Sequence, residues 1–481
     1  MERRIWIIAI VVYALAAWFS VGYFHPDEHH QLLEFAATQL DLREAQTLPW
    51  EFEQQMRPTL QVYIVVAVYK VMDVIGLGNP FWVATFLRFI SAALALWAAA
   101  LLIRNYRETW KWRGAFPLFL ILTLLLWFNV FNHVRFSSEN WSGVFFMFGF
   151  AWALGDRFKH VGHGLIIGFL LGLSFLFRYQ SILLIGGLAL WLLVILRMPL
   201  KKWMSILAGG LLAIGLGWLT DYHFYGEPVF TFYNYLEQNI VEGKAAEFGV
   251  EPWWYYITQV VENGVPPFSL FYVVAVFWVF ITKPKSVLTW TFVPFLLIHS
   301  LTAHKELRFL FPVVGFASLF LMEFLDGLFQ RRSNWDSSKT YKWIKGLFLG
   351  VNYLIVAVIC FKPVEINIPL YQYIYNEYPD GAQVFAHKDH PYLGAAEIRY
   401  YARPSLEVFE GKEESELDFD STKPVLLVTA DKEMQAKMEA QSPAVYSALP
   451  DWILAFNVNG WVDRTTYYKV YELPPPEKRT E

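Results

Sequence analysis

The segment His25-Pro26-Asp27-Glu28-His29-His30-Gln31 packs six titratable or hydrogen-bonding side chains into seven residues. It follows directly on an apolar run, residues 5–24, long enough to cross a bilayer. A reactive carboxylate at the mouth of a membrane span points to chemistry on something held in the bilayer. A second concentration lies at His304-Lys305-Glu306-Leu307-Arg308. Its two cations stand three residues apart and share one face if the segment is helical. Arginine can grip a phosphate with two parallel bonds and lysine offers a point charge. The same residues would also suit plain snorkelling toward lipid headgroups.

The elements that must position these residues are mostly apolar. Of 481 residues, 56% are hydrophobic and only 17% charged, against about 25% charged in soluble domains. A polytopic membrane protein is the class this composition allows. The net charge of −4 gives no footing for a nucleic-acid partner. The single Cys360 excludes an internal disulfide framework and, set in an apolar run, reads as a core thiol. Residues 1–4 and the run after them imitate a secretory signal. Ala14-Leu15-Ala16-Ala17 runs on into Trp18-Phe19, however, so an uncleaved anchor is expected.

Charge orders the spans. Basic segments at 104–113, 157–159, 197–202, 283–285 and 331–345, with Arg3 and Arg4, go to the cytoplasmic side by the positive-inside rule. Spans then read 5–24, 81–103, 115–132, 141–155, 164–179, 181–196, 204–220, 266–282, 287–302, 309–328 and 345–361, about eleven helices. The apolar stretch 58–76 breaks the charge order if it crosses, and it carries Lys70 and Asp73. It is expected to be a juxtamembrane or re-entrant helix in a large first external loop. The polar islands at 25–31, Arg57-Pro58, 135–140, 221–223, 234–254 and 304–308 then share the outer face.

Composition changes after Phe361. Residues 1–361 read as the membrane domain and 362–481 as a small external α/β domain. Strands are expected at 384–386, 424–429 and 465–471, and helices at 395–401 and 432–439. Apart from prolines 474–476 there is no low-complexity segment or repeat.

His25-Pro26-Asp27-Glu28 after the first span, with His304-Lys305-Glu306-Leu307-Arg308-Phe309 near a late one, resembles glycosyltransferase family 22. Leu48-Pro49-Trp50-Glu51-Phe52 with Arg57, and Gly243-Lys244 ahead of Phe248-Gly249 and Pro252-Trp253, are further echoes. Arg135 with Ser137, Ser138 and Asn140 is a looser match to the family's R-T-x-x-N-S. The likeness covers roughly residues 1–330 and leaves the tail unmatched. It implies a GT-C type fold and inverting transfer of a mannose-like sugar from a polyprenyl-phosphate donor to a glycolipid or lipid-linked glycan acceptor, with membrane lipids around it. It also implies no metal, because the leaving group is a monophosphate.

In such a transfer a weak hydroxyl nucleophile must lose its proton, and a placed carboxylate contributes about 10²–10⁴-fold. Asp27 is the expected base, stiffened by Pro26, with Glu28 in reserve; the competing role for Asp27 is capping a helix that begins at Glu28. Lys305, Arg308, His304 and Arg135 are candidates for the donor phosphate, and Arg178 is a weaker one. His25, His29, Gln31, Arg57, Lys244 and Glu306 are candidate substrate contacts. The aromatic residues at 233–235 and 253–256 suit sugar stacking or an interfacial belt. Alternatives are another GT-C transferase, of lipid A aminoarabinose or protein O-mannosyl type, or a lipid-linked-sugar transporter. The compact chain, ending without a retention signal at residues 478–481, points to a bacterial inner membrane with the active face in the periplasm. The other setting is the endoplasmic reticulum, facing the lumen.

Overall fold

The computed structural model describes residues 1–44, 48–155, 160–331, 335–394, 396–409 and 422–473. The basic residues 157–159, Arg332 and prolines 474–476 lie outside them, as does Ala395 at the start of an expected helix. Two compact units emerge. The first comprises Met1–Ser20, Gln54–Tyr63 and Thr85–Lys362; the second comprises Val21–Glu53, Ile64–Ala84 and Pro363–Glu481.

The first unit is helical. Every expected span coincides with helical chain, but length separates the helices. Among the described residues four are long and apolar enough to cross a bilayer: Pro80–Tyr106, Leu200–Tyr225, Leu307–Arg331 and Lys339–Phe361. Two bent pairs raise this to at most six: Ala115–Leu125 with Trp127–His133, and Ser269–Thr282 with Val287–Leu301. The expected count of eleven is not reached. Ser138–Leu154 and Val161–Phe177 have 17 residues each and Ile182–Val194 only 13, or about 20–25 Å at 1.5 Å per residue against a core of about 30 Å. The first helix runs Glu2–Phe19 and not to residue 24. Its chain then breaks, and the Val21 carbonyl accepts from the Val364 N–H at 2.8 Å.

Small residues let the membrane helices close up. Gly164, Gly168 and Gly172 recur every fourth residue on Val161–Phe177, facing Ser205, Gly210 and Ala213 on Leu200–Tyr225. A Cβ added at Gly168 would lie 1.8 Å from the Ile206 carbonyl oxygen, and one at Gly209 2.1 Å from that of Leu165. Backbone-to-backbone approach of this kind is how helices associate where lipid supplies no hydrophobic drive.

The bend at Leu126 opens the helical ladder, and in an apolar setting the freed groups need partners. Asn352, 3% exposed, supplies them. Its amide donates to the Leu125 carbonyl at 2.7 Å and its oxygen accepts from the Trp127 N–H at 2.9 Å. Asn352→Leu therefore strands two buried backbone groups, costing about 1–3 kcal/mol each. A clear drop in the thermal midpoint of the purified protein is expected, and an unchanged midpoint would refute the bridging role.

The second unit carries a sheet of order β2-β1-β3-β5-β4: β1 Gln383–His387, β2 Glu407–Phe409, β3 Val425–Thr429, β4 Tyr446–Ser447 and β5 Lys469–Leu473. β1 pairs in parallel with β2 and β3, and β5 runs antiparallel to β3 and β4. The strands expected near 384 and 424 and the helix Lys432–Glu439 are present. Residues 396–401 are not helical. The reason is a partner distant in sequence: the N–H groups of Arg399 and Tyr400 donate to the Glu34 carboxylate at 2.9 and 3.0 Å. The stretch expected to be juxtamembrane forms the 15-residue helix Leu60–Val74.

Candidate functional site

The candidate residues fall in both units, and each set is built from its own surroundings. In the second unit, residues 26–29 form one helical turn, with Pro26 at its first position and His25 as cap. The His25 Nδ1 accepts from the Asp27 N–H at 3.2 Å. Asp27 is therefore inside the turn and is not its cap, so the capping alternative fails. Its side chain is 33% exposed, with a carboxylate oxygen 3.6 Å from His25 Nδ1. Glu28, by contrast, is 6% exposed and accepts from the Phe24 N–H at 3.1 Å, fastening the entry to the turn. Gln31 donates to Glu51 at 2.9 Å.

Behind the turn sits Glu34, which the sequence reading passed over. It is fully buried. One oxygen lies 2.7 Å from His29 Nε2 and the other accepts from Arg43 at 2.6 Å, in addition to the two backbone bonds at 399 and 400. His29 is stacked between Tyr23 and Tyr401, with centroids 5.2 and 5.3 Å away. His29 is thus committed to Glu34 and to two tyrosine rings.

Burial pushes the Glu34 carboxyl up, but the His29 hydrogen bond and the charges of His29 and Arg43 outweigh it and hold it at about 2. Burial first, then the charge of His29, pulls His30 down to about 4. Both folded values lie below the ordinary ones of 4.5 and 6.5. Both contributions are therefore full above the ordinary values and are lost as pH falls, His30 between 6.5 and 4 and Glu34 between 4.5 and 2. At about 1.4 kcal/mol per unit, Glu34 alone accounts for roughly 3 kcal/mol. Stepwise acid weakening is expected in thermal midpoints measured from pH 7 to 3, and a flat profile would contradict it.

In the first unit the acid at the centre is Glu139, 1% exposed, in the opening turn of Ser138–Leu154. Ser137 caps that helix by accepting from the Asn140 N–H. Glu139 holds two guanidiniums, Arg178 at 2.8 Å and Arg308 at 3.3 Å, and both lie over the Phe309 ring at 5.1 and 5.5 Å. Arg308 also pairs with Glu306, whose other partner is His304 at 2.8 Å. Arg135 is 1% exposed, its guanidinium 3.8 Å from the Phe131 ring centre, and its carbonyl accepts from Asn140 at 2.7 Å.

Lys305 differs from the expectation. It precedes the 3₁₀ helix Leu307–Phe316, so it shares no helical face with Arg308. Its ammonium donates to the carbonyls of Glu251 at 2.6 Å, Thr302 at 2.5 Å and Ala303 at 3.4 Å. Arg57 stands 5.8 Å from the centre of the Tyr235 ring, and Lys244 begins a separate 3₁₀ turn. Two arginines, Arg178 and Arg308, thus meet the two acids Glu139 and Glu306 in this cluster. Glu139 and Arg178 gave no periodic signal. The one clue was Glu139 lying inside a polar island between apolar runs.

The helical membrane architecture with a small C-terminal sheet is of the GT-C type. It is similar to the crystal structure of ArnT from Cupriavidus metallidurans bound to undecaprenyl phosphate, with a TM-score of 0.54 and 13% identity over 97% of each chain. The chain belongs to the Alg9-like mannosyltransferase family, whose profile matches residues 4–380. It is 26% identical over 298 residues to GPI mannosyltransferase 3 of Yarrowia lipolytica, covering 61% of this chain and 56% of the relative. It is 28% identical over 181 residues to a probable Dol-P-Man:Man(7)GlcNAc(2)-PP-Dol alpha-1,6-mannosyltransferase of Schizosaccharomyces pombe, covering 37% and 33%. The match thus spans little more than half of the Yarrowia relative. Family membership favours the mannosyltransferase reading over the transporter and over the other GT-C classes. A multi-pass membrane protein is what fold and family together describe.

Proposed function

We propose that the protein is a membrane glycosyltransferase that moves mannose from a polyprenyl-phosphate donor to a hydroxyl of a lipid-linked glycan or glycolipid, inverting the anomeric carbon. The observation that carries the reading is the contrast within the first loop. The Asp27 side chain is one-third exposed, while Glu28 and Glu34 are buried and engaged. Asp27 accepts the proton as the acceptor oxygen bonds to the anomeric carbon and the sugar–phosphate bond breaks. The leaving phosphate carries the electron pair away, and positive charge stabilises it. Lys305 serves by holding its loop. The reaction takes place on the face that the charge pattern assigns to the outside, periplasmic or lumenal.

Family membership supports the sugar, and the Schizosaccharomyces relative, named for transfer from Dol-P-Man, supports the donor class. The acceptor claim is tested by supplying labelled polyprenyl-phosphate mannose with and without membrane lipid extract. Label should pass from the donor into a second lipid, separated from it by chromatography, only when the extract is present. Free mannose released into water at the same rate would make the protein a hydrolase and sink the reading.

A further inference from the structure

We infer that Glu34 is a positioning residue for the Asp27 turn, and that residues 397–401 of the C-terminal part of the chain belong to that positioning device. The inference rests on the proposed role of Asp27.

The geometry is a clasp closed from three stretches of chain within the second unit. Glu34 lies five residues beyond His29, at the end of the π-turn His30–Glu34. His29 is the last residue of the turn that carries Asp27. The carboxylate reaches back to His29 at 2.7 Å, sideways to Arg43 at 2.6 Å, and across to the N–H groups of Arg399 and Tyr400. Arg43 donates a further bond to the Glu397 carbonyl at 3.1 Å. Tyr401 stacks on His29 at an interplanar angle of 18° and on Phe81 at 21°.

A π-turn inserts one extra residue into a helix and rotates what precedes it, and such turns recur at functional sites. Here the rotated residues are those of the Asp27 turn. A buried carboxylate with four donors is a costly way to hold a loop that apolar packing could hold. What it adds is direction: one oxygen fixes His29, and through it the single turn behind Asp27, while the other is anchored by Arg43. A misplacement of about 1 Å at a reacting group can cost on the order of 10²-fold in rate.

The test uses the full chain. Glu34→Gln keeps the shape but puts an amide N–H against the Arg43 side; Tyr401→Leu removes the stacking without touching the charge and serves if the first variant folds poorly. Hydrogen exchange of peptides covering residues 24–31 should rise about tenfold or more in either variant, with helices such as Leu200–Tyr225 unchanged. Turnover should fall about tenfold with donor KM within twofold. Adding Asp27→Asn should bring no further loss beyond Asp27→Asn alone, because a positioning residue acts only through the residue it places. Unchanged exchange at 24–31 overturns the clasp whether or not the protein transfers mannose. Losses that multiply with Asp27→Asn, or that appear in KM, overturn the positioning role. Absence of transfer in the wild type, with exchange behaving as stated, overturns the proposed function and leaves the clasp standing.

Discussion

Asp27→Asn is expected to lower turnover by about 10²–10⁴-fold, the contribution of a general base to such a transfer, while leaving the folded protein intact. Asparagine matches the carboxylate in size and sits in the same helical turn, where the side chain is one-third exposed. What it cannot do is take a proton from the acceptor hydroxyl. The loss should therefore fall on kcat and leave donor KM nearly unchanged, as for an interaction made only in the transition state. Glu28→Gln makes the contrast: it weakens the bond to the Phe24 N–H and should act on stability more than on chemistry. Steady-state kinetics on both variants decide the matter. Retention of more than one-tenth of wild-type kcat in Asp27→Asn would remove it as base.

Glu139→Ala should be the most destabilising single change in the first unit, at about 3–5 kcal/mol. It deletes the acid held against both Arg178 and Arg308 and leaves two guanidiniums, 7% and 5% exposed, close together without it. An arginine cannot shed its charge to escape, so repulsion and desolvation both remain. Scanning fluorimetry of the purified protein should show a large fall in midpoint, partly restored by adding Arg178→Met, which removes one of the opposed cations. A shift no larger than that of an exposed surface substitution would show that the arginines find other counter-charges.

How far the chain could be read in advance depended on the range of the interactions. Apolar runs are local, and helices lie where they predicted. A proline followed by two acids is local too, and the Pro26–His29 turn is there. The ends of helices were not legible, because a partner distant in sequence decides them. Asn352 bridges the bend at Leu126 from 226 residues away, and the Val364 N–H takes up the Val21 carbonyl after the first helix ends. Buried charge was the least legible of all. Glu34 meets Arg399 and Tyr400 across some 365 residues, and Glu139 meets Arg308 across 169 residues. A lone acid in an apolar surrounding has no period and reveals its role only once its donors are found. Lys305 shows the converse, a cation that suited phosphate by type and place but whose ammonium is committed to backbone carbonyls.

The donor is the feature that defines the enzyme. Purified protein in lipid vesicles should move labelled mannose from polyprenyl-phosphate mannose into a lipid product, and should move none from a sugar nucleotide offered at the same concentration. Transfer from the nucleotide, or no transfer from the lipid phosphate by a folded protein supplied with acceptor extract, would contradict it.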